Sequence, residues 1–179
     1  MADDEGVIAV DGFTIRAATR EDIVPLLGVL ATTSYVDPMT AEKLEGLIKR
    51  QSHHRPEHGH MACCVCRGDR VVGWLLIQFF LQFFPRPWEN PDLGADEVST
   101  ISLDVVLAPP VRRNELSKKV HARVHEVHNA DGAIKQEFAL VRDDNIPGKA
   151  AAASVGMRPG TKHQARGTNH LWQNFYRPL

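Results

Sequence analysis

The run from Val71 to Phe84 constrains the fold more than any other part of the chain. It follows Gly68-Asp69, stops at Pro85, and is interrupted only by Gly73, Gln78 and Gln82 among its apolar residues. It falls short of the roughly 18 apolar residues that a membrane span needs. A strand that reads as nearly continuous apolar residues is buried on both faces. The run therefore predicts a central strand to about Gln82, in a sheet covered on both sides. Met61 to Arg67 reads as its hairpin partner, with Gly68-Asp69 as the turn. The aromatic end, Leu81 to Trp88, is expected to leave the sheet.

The other elements arrange themselves around this hairpin. Phe13-Thr-Ile-Arg-Ala-Ala opens as a strand, and Thr19 to Asp22 has capping-box spacing with Asp in the usual Glu/Gln role. Ile23, Leu26, Leu27 and Leu30 follow at helical spacing, with Pro25 expected to kink that helix or start it late. Pro38 and Thr40 precede a second helix built on Leu44, Leu47 and Ile48. Ser52 to His60 and Pro85 to Asp96 read as loops. Ser99 to Leu107 reads as a strand stopped by Pro109-Pro110, and Leu116 to His128 as a helix on Leu116, Val120, Val124 and Val127. Ala133 to Val141 is the next strand. Pro147 to Val155 is a short helix ended by Gly156, and one or two strands close the chain.

The length of 179 residues suits one domain. Residues 1–12 are expected to be a flexible acidic tail and residues 13–179 the domain. Hydrophobic residues at 43% and a net charge of −1 exclude a wholly disordered chain. The charge balance also argues against a nucleic-acid partner. The acidic start is unlike a signal peptide, so a cytoplasmic protein with no membrane partner is expected. Cys63, Cys64 and Cys66 lie too close along one strand for ready disulfides and read as free thiols.

The element order, an α/β (α+β) mixed and mostly antiparallel sheet with helices on both faces, resembles the GCN5-related N-acetyltransferases, the GNAT superfamily. Four segments carry the resemblance. Phe13 to Asp22 looks like the family's opening strand and helix, and Arg70-Val-Val-Gly-Trp-Leu-Leu like its third strand. Leu103-Asp-Val-Val-Leu-Ala-Pro is similar to its fourth strand. Asn145 to Met157 is similar to a late Asn-x-x-Ala…Gly-Phe segment, with Gly148 at the place of the Ala. The resemblance implies an acyl-CoA-dependent N-acyltransferase: acetyl-CoA as acyl donor, and direct attack by the amine of a small-molecule or peptide acceptor. The alternatives are a binding or structural module on the same fold, or other acyl-thioester chemistry.

The implied site follows residue by residue. Val105, Val106 and Leu107 would hold the pantetheine arm through their backbone. Arg112, Arg113, Asn114, Glu115, Leu116, Ser117 and Lys118 stand where the family binds the pyrophosphate, and Asn145 lies nearby. Free amides at a helix start attract an anion. Asp104 or Glu97 would take the amine's proton. Two residues depart from the family pattern. Glu115 replaces the central glycine, where a left-handed backbone costs about 1–2 kcal/mol. Its carboxylate, ~6 Å from a phosphate at an effective dielectric of ~20, repels by roughly 3 kcal/mol before turning into water. Arg112, Arg113, Lys118 and Lys119 offset this. Ala152 stands where many members carry a tyrosine that protonates the departing thiolate, and alanine has no proton to give.

Other constellations read as structural. His53, His54, His58, His60 and the cysteines are zinc-ligand types, but no second Cys-x-x-Cys or His pair follows at ligand spacing. His121, His125 and His128 share one helix face. That face reads as a half-exposed flank rather than a metal site, because His-Glu-Val-His is not His-Glu-x-x-His. Phe79, Phe80, Phe83, Phe84 and Trp88 crowd one segment. In the family this region borders the acceptor site or a dimer contact, so core packing, an acceptor pocket and a homodimer interface stay open.

Overall fold

The computed structural model describes residues 7–35, 38–52, 58–83, 97–112, 115–164 and 170–179. Eight strands form one sheet: β1 (Ile8–Val10), β2 (Phe13–Ala17), β3 (Gly59–Arg67), β4 (Arg70–Phe83), β5 (Glu97–Leu107), β6 (Gln136–Arg142), β7 (Arg158–Gln164) and β8 (Leu171–Pro178). Their order is β1-β2-β3-β4-β5-β6-β8-β7. Every pairing is antiparallel except β5 with β6. The helices are α1 (Ile23–Leu30), α2 (Ala41–Arg50), α3 (Leu116–His128) and α4 (Ile146–Ser154).

Alternation along the central strands builds two cores. Cys63, Val65, Leu75, Ile77, Ile101 and Leu103 point to the face covered by Leu116, Val120 and Val124 of α3. Ala62, Cys64, Cys66, Trp74 and Val106 point to the other face, under Leu26, Leu30 and Leu44 of α1 and α2. Period-2 side-chain direction produces this division. Val127 of α3 is exposed, so the apolar stripe of that helix ends one turn earlier than its spacing suggested.

The segment before Phe13 differs from the expected tail. Ile8 and Val10 are buried, and β1 pairs with β2 through a hairpin at Asp11-Gly12. Both turn residues have positive φ, 49° and 79°, as a two-residue primed turn requires. β4 keeps its pairing through Leu81, Gln82 and Phe83, which lie opposite Ser99, Val98 and Glu97. The sheet thus extends into the aromatic segment that was expected to leave it. Phe84 and Trp88 lie outside the described residues.

At the start of α1, the Thr19 N–H and Oγ1 both donate to Asp22 Oδ2, at 2.8 and 2.9 Å. Arg16 closes on the same carboxylate with two bonds of 2.7 Å. Pro25 falls in the first turn, where its missing N–H costs nothing. The helix starts late, after a 3-10 turn over Arg20–Asp22. No helix of the described residues is long and apolar enough to cross a membrane.

Candidate active site

The sheet opens where β5 and β6 part. They pair only at Thr100–Gln136, Ile101–Glu137 and Ser102–Phe138. Beyond this, β5 stays bonded to β4 as far as Leu107. β6 stays bonded to β8 as far as Arg142. A wedge opens between the two strands, and a cleft of about 610 Å³ occupies it. Alternate backbone groups of Leu103 to Val106 face this wedge without a strand partner, so they are available to a polar ligand, while the Leu107 carbonyl is taken by Arg112.

Asp104 lies on the wedge side of β5 and lines the cleft, where its carboxyl is open to solvent. Protein crowds it on its other sides. The loss of water raises its pKa, and the charge of His121 partly offsets the rise. Tyr35, Trp74, Phe80 and Trp172 give the cleft aromatic walls. Phe80 meets Phe138 edge to face, with ring centroids 6.4 Å apart. Arg142 donates to Ser34 O at 2.8 Å and lies over the Tyr35 ring, tying the chain after α1 across to β6.

The residues expected at the site divide into three groups. Asp104, Val105, Val106, Ser117 and Asn145 all line the cleft. Leu107 continues the same strand edge, and its carbonyl accepts from Arg112 Nε at 2.6 Å. The Arg112 guanidinium also bonds Thr32 O and Oγ1, so this side chain braces the end of α1 against the end of β5. Leu116 is buried in the core and offers only its backbone, while Lys118 is exposed. Glu97 opens β5 seven residues before Asp104, about 23 Å away at ordinary strand rise. The side chain of Glu97, and all of Arg113 and Asn114, lie outside the described residues.

Glu115 takes the left-handed conformation its position suggested, at φ 52° and ψ 15°, and directly precedes α3. Without a capping side chain there, the first amides of α3 have no intrahelical acceptor. Asn145 caps α4 by accepting from the Gly148 N–H at 2.9 Å. A Cβ on Gly148 would come within 2.4 Å of the Asn145 amide nitrogen, which is why glycine rather than alanine stands there. Ala152 lines the cleft and packs with Val155, Met157 and Phe175.

The histidine face of α3, expected as a half-exposed flank, is instead buried at His121, against a glutamate that had no clear signal in the sequence. Glu137 of β6 is fully buried. Its Oε1 is 2.7 Å from His121 Nδ1, and its Oε2 is 3.0 Å from His125 Nε2 and 2.6 Å from Arg177 Nε. Burial alone would raise the pKa of Glu137, but the hydrogen bond from His121 and the close His125 imidazole hold it well below the usual carboxylate range. These histidines and Glu137 bring their donor atoms within 4.8 Å of one another. The Arg177 guanidinium already occupies the carboxylate, so a metal cation there would meet a positive charge. His121 also lines the cleft.

The other histidine and cysteine positions are structural. His60 Nε2 bonds Leu47 O at 2.9 Å. All three cysteines are buried and unbridged, and burial pushes the Cys63 thiol up to about 12, which removes it from nucleophilic chemistry. His53 and His54 lie outside the described residues.

No family model matches the chain, and no curated protein matches it. Solved structures do. One is an acetyltransferase from Salmonella typhimurium that modifies the N-terminal serine of ribosomal protein L7/L12. It superposes with a TM-score of 0.71 at 12% identity, covering 97% of this chain and 99% of that one. Mycobacterium smegmatis RimJ, in complex with CoA-disulfide, gives 0.66 at 13% identity, covering 99% and 88%. A GNAT-family acetyltransferase from Bacillus anthracis gives 0.66 at 13%, covering 97% of each chain. The fold is that of the GCN5-related N-acetyltransferases.

Proposed function

We propose that the chain is an acyl-CoA-dependent N-acyltransferase that moves an acetyl group from acetyl-CoA to a primary amine. The observation that carries this is the wedge between β5 and β6, with Asp104 on its wall and the amino-terminal half of α3 alongside. An extended pantetheine arm bonds the free backbone edge of Leu103 to Val106 as an added strand would. The pyrophosphate rests on the amides of Leu116, Ser117 and Lys118, with Lys118 supplying charge. Arg113 and Asn114, just before it in sequence, are assigned to the same anion, and Asn145 borders the arm from α4. Acetyl-CoA supplies the thioester. Asp104, whose raised pKa brings it nearer that of a base at neutral pH, takes the proton that the attacking amine loses.

The aromatic walls suit an acceptor with an apolar body next to its amine. The Salmonella neighbour modifies a protein N-terminus, so a peptide N-terminus stands beside small amines as the acceptor class. Calorimetric titration with acetyl-CoA tests the reading. Micromolar affinity is expected, and no heat up to millimolar ligand overturns it.

A second reading follows from Glu115 and Arg112. The carboxylate stands at the pyrophosphate position, and the arginine is bonded within the protein. Both suit a module that keeps the cleft and has lost acyl transfer. Binding of acetyl-CoA without turnover on any amine would favour it.

A further inference from the structure

The acyl transfer proposed above leaves one proton unassigned. As the amine nitrogen bonds the acetyl carbon, the carbon–sulfur bond breaks and the sulfur departs with the electron pair. It must then gain a proton. Ala152 has none to give, and Asp104 is receiving one from the amine. His121 is the remaining imidazole on the cleft wall. It projects from α3, shielded except on the side of the cleft.

Its geometry fixes its chemistry. Glu137 is ionised, and an ionised carboxylate only accepts hydrogen bonds. The 2.7 Å contact to Oε1 therefore places a proton on His121 Nδ1. Nε2, on the opposite side of the ring, is left for the cleft. Among the described residues no second hydrogen bond holds the ring. Glu137 is itself immobilised by Arg177 Nε at 2.6 Å, and Arg177 in turn donates to Val155 O. The carboxylate is thus a fixed anchor, built on two strands and sealed from solvent.

We infer that His121 hands the proton to the departing sulfur through Nε2, and that Glu137 is the positioning residue that fixes its tautomer; the inference rests on the acyltransferase reading. The cycle balances. Asp104 takes the amine proton, the imidazolium gives its Nε2 proton to the thiolate, and solvent in the open cleft then carries a proton from Asp104 back to Nε2. The groups facing the imidazole are Glu137 from β6, Asp104 from β5, Arg177 from β8 through Glu137, and His125 from its own helix.

The test uses the full chain, acetyl-CoA and a panel of primary amines that includes peptide N-termini. His121→Gln keeps an amide donor for Glu137 but has no titrating group. It is expected to bind acetyl-CoA within about twofold of wild type and to lose about a hundredfold in kcat. Glu137→Gln removes the obligate acceptor at Nδ1, so His121 populates both tautomers and kcat falls while acetyl-CoA affinity holds. Should this variant not fold, His121→Gln and nitrogen-15 spectra of the histidine rings decide. The spectra are expected to show the Nδ1–H tautomer at His121 and an Nε2 resonance that shifts with coenzyme A. Acetyl transfer with an unchanged kcat in His121→Gln overturns the inference alone. So does a loss of rate confined to Tyr35→Phe, an Nε2–H tautomer, or an Nε2 resonance indifferent to coenzyme A. Failure of the wild type to bind acetyl-CoA removes the acyltransferase reading and the inference with it.

Discussion

Two buried carboxylates anchor opposite faces of the sheet, and they are bonded to different ends. Asp22 takes two bonds from Arg16 and two from Thr19. Its partners are an adjacent strand and its own backbone turn, so the network closes on itself and fastens the start of α1. Glu137 also binds an arginine, but its other partners are His121 and His125 on α3. One of these lines the cleft. The same ion-pair chemistry is thus closed in one place and opens to a ligand surface in the other. The difference lies in what the partners touch, not in the carboxylates.

The largest effect should come from removing the more deeply buried anchor. Glu137→Ala strands Arg177 and two imidazoles with no anion, and breaking a buried pair this way costs about 3–5 kcal/mol. Urea unfolding is expected to show a loss of this size. Asp22→Ala should cost less, about 1–3 kcal/mol, because Arg16 is 36% exposed and regains water. Equal losses would break the distinction between a sealed anchor and one at the boundary.

Acid sharpens the comparison. Hydrogen bonds from Arg16 hold Asp22 at a pKa of about 2, below its ordinary 3.8. A carboxylate with a depressed folded pKa stabilises the fold above its unfolded pKa, and that stability is lost as pH falls through the folded value. The Asp22 contribution is therefore whole above about pH 4 and gone below about pH 2. Glu137 is depressed too, so its contribution also fades only in strong acid. Asp22→Asn should flatten the slope of stability against pH between about 4 and 2. A slope identical to that of wild type would mean that Arg16 does not hold the carboxylate in solution.

These networks differ in how readable they were. The spacing of Thr19 and Asp22 announces a helix start, because both partners lie within one turn of the chain. Nothing in the neighbourhood of Glu137 announces burial. A glutamate in Gln136-Glu-Phe-Ala reads as a solvent-facing strand residue, and its partners come from 16 and 40 positions away. The histidine face of α3 was visible at helical spacing, but its burial depended on β6 lying beneath it. The central hairpin, α3 and the wedge-forming strand β5 were legible because apolar periodicity alone dictates them. β1 was missed although Asp11-Gly12, between Val10 and Phe13, is a strong hairpin signal. Three residues are too few for periodicity to show.

A third carboxylate, outside both networks, sets the small end of the scale. Glu115 is exposed and left-handed at the mouth of α3. Glu115→Gly relieves a backbone cost of about 1 kcal/mol but also frees the unfolded chain, which returns a comparable amount. Thermal stability should therefore change little. Affinity is where the substitution should appear. If α3 receives a pyrophosphate, removing a carboxylate at its mouth lowers the repulsion that salt and water have not already screened, and a five- to tenfold tightening is about 1 kcal/mol. Calorimetry with coenzyme A at low and high salt separates the causes. Tightening that fades with salt identifies the charge, and tightening that persists identifies the backbone. Unchanged affinity at both would mean that the anion does not rest on α3, and that the wedge serves a ligand without phosphates.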